Sequence, residues 1–98
     1  MQANTMQAGT MQEHSGFRLG DRVKLVDKQI IVAEQARTVA MGGQPSPYTG
    51  EEIMTIEAIG PAPMGVGGPP VIMFTCRVDG HDKQWAIRKF AWYLVIKA

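Results

Sequence analysis

Eight of the eleven residues from Gly60 to Pro70 are glycine or proline. Proline removes a backbone donor and fixes φ, and glycine weakens any regular element, so neither a helix nor a strand is expected to run through this stretch. A second cluster, Gly42-Gly43-Gln44-Pro45-Ser46-Pro47, breaks the chain again. With 98 residues there is room for one domain. Its apolar residues are therefore confined to short runs between breakers, and short runs favour strands.

Those runs alternate with a period of two. Gly20-Asp21 supplies turn chemistry, and Val23 and Leu25 then alternate with Arg22 and Lys24, the pattern of a half-buried strand. A second strand is predicted from Glu52 to Ile59, with Met54, Ile56 and Ala58 opposite Thr55 and Glu57. A third runs from Val71 to Val78, its apolar face made of Ile72, Phe74, Cys76 and Val78. Asp79-Gly80 is a hairpin signal. It leads to a fourth strand, Lys83 to Arg88, with Trp85 and Ile87 on one face. Lys89 to Trp92 reads as one helical turn, and Tyr93 to Lys97 as a last strand with Leu94 and Ile96 inward. Residues 28–50 fit no clean period, and a short helix and a β-ribbon both remain open there. A long irregular segment in a small domain is often functional. The prediction is an all-β chain over 17–98: a small five-stranded SH3-like barrel with two long loops. Closure would remove exposed sheet edges.

Residues 1–15 form a degenerate pentad repeat, MQANT, MQAGT, MQEHS. A period of five fits neither a helix face nor a strand face. Residues 1–16 are therefore expected to be a disordered, Met/Gln-rich tail.

Ten Lys and Arg face nine Asp and Glu, which argues against affinity built on neutralising many phosphates. A single cysteine, Cys76, excludes an internal disulfide and is expected to be a buried small apolar residue. No run approaches a membrane span, and the N-terminus lacks the pattern of a secretory signal. The expected location is the cytoplasm, without membrane association.

The combination of Phe17, Gly20, Asp21, Val23 and Leu25, then Met54 to Glu57, then Cys76, Asp79 and Gly80, and finally Leu94 resembles the small YodC-like bacterial proteins. The resemblance covers less than half of the chain, in three pieces, and the two long loops depart from it. It implies a barrel fold and no active site. Phe17, Gly20, Asp21, Arg22 and Val23 are also similar to the opening of the plasmid-borne type II dihydrofolate reductases, which are SH3-like barrels. That family's catalytic strand reads V-Q-I-Y. Here the nearest segment is Lys83-Gln84-Trp85-Ala86, where only the Gln matches, and Leu25-Val26 replace the basic pair. The substrate-binding residues of that family are thus missing.

No serine stands near a histidine in any nucleophile motif, and serine occurs only twice, at Ser15 and Ser46. Glu51-Glu52 are adjacent and would point to opposite faces of a strand, as a solvated strand entry. Asp79, His81 and Asp82 read as turn chemistry rather than metal ligands. Gly65-Val66-Gly67-Gly68 lacks the Lys-Ser/Thr and the helix start of a phosphate loop. Neither a cofactor nor a metal is expected. The last third of the chain is more suggestive, because Trp85, Phe90, Trp92 and Tyr93 are interleaved with Arg88 and Lys89. Trp85 and Phe90 are expected in the core. Arg77, Arg88, Lys89, Trp92 and Tyr93 form the predicted binding surface, since Arg and aromatic residues dominate interface energetics. The expected function is a non-catalytic binding or regulatory module for a protein partner. A nucleic-acid-binding barrel is the alternative, since basic groups beside aromatic faces also suit single strands. A reductase of the type II kind is a third reading, and homo-oligomer formation is left open.

Overall fold

The computed structural model describes residues 11–62 and 70–98. Residues 1–10 of the predicted tail and residues 63–69 of the predicted loop lie outside the described residues. The elements in chain order are β1 (Glu13–His14), β2 (Phe17–Arg18), β3 (Arg22–Leu25), α1 (Gln29–Ala40), β4 (Met54–Ala62), β5 (Val71–Val78), β6 (Ile87–Ala91) and β7 (Val95–Lys97). Two short 3-10 turns, Lys83–Trp85 and Trp92–Leu94, flank β6.

The main sheet is antiparallel, in the order β6-β5-β4-β3-β7, so the last strand lies beside the first of the five. Strands β6 and β7 occupy the two edges and do not pair with each other. The hydrogen-bonded sheet is therefore open, where sequence patterning predicts closure. Strand β4 runs past the predicted end at Ile59 into the Gly/Pro stretch, with Gly60, Pro61 and Ala62 opposite Met73, Ile72 and Val71. Strand β3 reaches only Met54 and Thr55, so this part of β4 is an edge, where proline is tolerated. A bulge between Ile56 and Ala58 shifts the register of β4 on β5. It inserts Glu57 and sends Ile59, rather than Ala58, to the buried face. The core on that face is made of Val23, Leu25, Ile31, Tyr48, Met54, Ile56, Ile59, Phe74, Cys76, Val78, Phe90 and Val95.

Several strand phases differ from the alternation read in the sequence, for one reason. Each 3-10 turn consumes three residues outside the pleat and resets which residues face in. Lys83–Trp85 is such a turn, not the start of a strand. Arg88 and Phe90 consequently point inward, while Ile87 is 44% exposed. Trp85 is half-buried against the core, and Phe90 is buried as expected. The predicted helical turn falls at Trp92–Leu94 instead of Lys89–Trp92. Val95 then takes the fully buried place; Leu94 is half-buried against the core as expected, whereas Ile96, predicted inward, is exposed.

Residues 29–40 are a helix, which resolves the segment that periodicity left open. Three alanines with Gln, Glu and Arg favour helix formation. Asp27 Oδ1 accepts the Gln29 N–H and supplies the start. At the other end Gly43 N–H donates to Thr38 O and Gly42 N–H to Val39 O. With Gly42 at φ 85° this is a Schellman ending.

The boundary of the predicted tail also moves. Ser15-Gly16 turns β1 onto β2, with Glu13 opposite Arg18. Met11 N–H donates to Ile59 O, Phe17 packs edge-on against Phe74, and His14 against Trp92. Residues 11–16 thus cover one end of the core, and Ile31 covers the other.

Candidate functional site

Helix α1 docks on the sheet through Ile31, which is fully buried, through Ile30, half-buried against the core, and through polar residues. Gln35 Nε2 donates to the carbonyls of Ser46 and Tyr48, 2.8 Å each. Glu34 receives both terminal nitrogens of Arg88, at 3.1 and 2.8 Å. One turn of helix therefore holds the 46–48 segment on one side and β6 on the other.

Beneath the helix is a cluster of polar and aromatic groups centred on Tyr48. Its ring is buried, with its hydroxyl donating to the Trp85 carbonyl. Burial raises its hydroxyl above the usual phenol range, against the Arg88 charge. The Arg88 guanidinium lies over the Tyr48 and Phe90 rings, at 5.2 and 4.9 Å. His81 Nε2 stands 2.7 Å from Glu52 Oε2, with both side chains nearly out of solvent at 14% and 13% exposure. Glu52 also accepts the N–H groups of Thr49 and Gly50 at 2.7 and 2.9 Å. Burial alone would raise this carboxyl. The Thr49 N–H, His81 and two further backbone N–H groups outweigh it and hold the carboxyl below its ordinary value. Glu52 is thus a largely shielded anchor for the 49–50 turn and not a solvated strand entry, whereas Glu51 pairs outside with Lys28. Gly50 belongs to the same turn: at φ 90°, a Cβ there would lie 2.9 Å from the Lys28 Cα. The void beside Tyr48 and Arg88 is about 10 Å³, space for one water at most. No substrate fits there.

The reverse side of α1 is apolar. Val32, Ala33, Ala36, Val39 and Ala40 are exposed, Val39 by 56%, and Met41 extends the patch. Their spacing of three, four and seven residues places them along one stripe. Ala36, Val39, Ala40 and Gln35 form one wall of an open groove of about 550 Å³, with Pro45 and Ser46 as the other. Arg37 borders this stripe and is exposed.

The residues that the sequence singles out for binding do not form one patch. Arg88 points inward and is held by Glu34. Arg77 and Lys89 lie on the opposite, outer face of the sheet, next to Ile87 and Thr75 in register. Arg77 is paired with Glu57 at 2.6 Å. Trp92 is half-buried and stacks edge-on with His14 and with Tyr93, which is 58% exposed. His81 faces Glu52 rather than its neighbours in the turn, and Asp79 pairs with Arg22. Sequence reasoning missed Glu34, Tyr48 and Glu52. A helical plot of 29–40 carries the missing signal, because it sets Glu34 and Gln35 on the face of Ile31, with the valines to one side and Ala36 and Ala40 toward the reverse.

No family model, curated protein or solved structure matches the chain.

Proposed function

We propose that this protein is a small non-catalytic binding module, and that the outer face of α1 docks a protein partner. One observation carries the reading: α1 packs Ile30 and Ile31 on the core beside Glu34 and Gln35, yet leaves Val32, Ala33, Ala36, Val39 and Ala40 exposed to water. A helix that served only to cover the core would turn its apolar residues inward. Contiguous exposed apolar surface is the usual mark of a protein interface. The partner chemistry follows from the same face. Small side chains at Ala33, Ala36 and Ala40 allow close approach of a second helix. Arg37, beside the stripe, forms no ion pair among the described residues and favours a partner carboxylate. The best-fitting occupant is an amphipathic helix with an apolar stripe and an acidic flank.

Charge accounting supports a protein over a nucleic acid. Of ten cationic side chains, Arg18, Arg22, Lys28, Arg77, Arg88 and Lys97 are paired with carboxylates. Lys24, Arg37, Lys83 and Lys89 remain, too few for an extended phosphate track. We read the five-strand order, with a 3-10 turn before the last strand, as an SH3-like sheet, the arrangement that resemblance to the YodC-like proteins implies.

The test compares two baits, wild type and Val39→Asp, in nuclease-treated lysate with quantitative mass spectrometry. Proteins held by wild type should be depleted at least about tenfold on the variant, as for a centrally placed contact. Equal capture by both baits, or capture that disappears with nuclease, would refute the assignment.

A further inference from the structure

The second open surface is the edge of β6. Val78 N–H donates to Ala86 O, which fixes the phase of the ladder with β5. Antiparallel alternation then directs the N–H and C=O groups of Arg88 and Phe90 to β5. Those of Ile87 and Lys89 point away from the sheet, and no strand pairs with them among the described residues. Both side chains are exposed on the outer face. Lys89 forms no ion pair among the described residues.

A second copy of this chain is a poor occupant. Antiparallel self-pairing centred on Lys89 sets two unpaired lysines opposite each other. Centring on Ile87 leaves one residue of strand to pair, because Lys83–Trp85 is a 3-10 turn. The same charge that disfavours a copy favours an acidic strand. We propose that the open edge of β6 is a strand-addition site for an extended segment of a partner protein. That segment runs antiparallel to β6, with a carboxylate opposite Lys89 and, two residues on, an apolar side chain opposite Ile87. The backbone groups of Ile87 and Lys89 supply the hydrogen bonds, and Lys89 selects the charge. This site is independent of the α1 face and survives if that reading fails.

The probe is the capped pentapeptide Thr-Glu-Thr-Val-Thr, titrated into ¹⁵N-labelled full-length protein, with Thr-Lys-Thr-Val-Thr as its counterpart. In free protein the amides of Ile87 and Lys89 should exchange quickly, and those of Arg88 and Phe90 slowly. The acidic peptide should shift and protect the Ile87 and Lys89 amides, and bind about fivefold or more tightly than the basic one. Lys89→Glu should reverse that preference. Lys89→Pro removes one outward N–H without touching the β5 ladder, and should abolish binding. If the proline variant fails to fold, the reversal by Lys89→Glu decides. Four results would overturn the proposal: protection of Ile87 and Lys89 in free protein, concentration-dependent shifts that reveal a second copy, equal affinity for both peptides, or no binding.

Discussion

Glu52 shows how one residue can be read correctly as to type and wrongly as to place. In sequence it is half of an acidic pair at a strand entry. In the fold it is a nearly buried acceptor of the Thr49 and Gly50 N–H groups beside His81. Nothing local marks the difference, because its partner His81 is 29 residues away. Because these partners depress its folded pKa, Glu52 stabilises the fold above its unfolded value, about 4.3. That contribution is lost as pH falls through the lower folded value. Glu52→Gln should therefore cost about 1–2 kcal/mol near neutrality, the range for buried hydrogen bonds to charge. Chemical denaturation across pH should show the gap to wild type constant above about pH 5 and closing below about pH 4. A gap that widens on acidification would contradict the assignment. Cys76 is the reverse case, legible from its apolar neighbours alone. It is buried, and burial, aided by Glu57, pushes its thiol up to about 12.

Elements differ in how far the sequence reveals them. Strands β3 and β5 follow directly from alternation, and β5 spans the predicted Val71–Val78. Strand β6 and the last strand are displaced because their 3-10 turns have no strong composition signal. Helix α1 is obscured because its apolar residues divide between two faces. Ile31, with Ile30 half-buried beside it, serves the core. Two substitutions on this helix should thus behave oppositely. Ile31→Ala should destabilise by about 2–4 kcal/mol through the cavity it leaves. Val39→Asp, on the open side, should change stability by about 0.5 kcal/mol or less. Thermal melts of both variants check this. Comparable losses at the two positions would mean that the valine face is covered in solution.

Across the whole molecule, the first described residues are part of the fold. Met11 joins the sheet through the Ile59 carbonyl, and His14 and Phe17 pack on Trp92 and Phe74. Removal of residues 1–16 should lower Tm by several degrees, about 1 kcal/mol for a domain of this size. An unchanged melt would show that the tail is passive. The predicted binding patch was legible only as residue types. The fold separates it into an inward arginine, two outer-face cations and an aromatic pair at the far end, because adjacent residues of β6 face opposite ways.

The central claim is that α1 presents its outer face to a protein. The most direct measurement is photo-crosslinking in cells from benzoylphenylalanine placed at position 39, with position 24, exposed on β3, as control. Discrete, nuclease-resistant protein adducts should form from position 39 and none from position 24. The same adducts from both positions, or none from position 39, would contradict the claim.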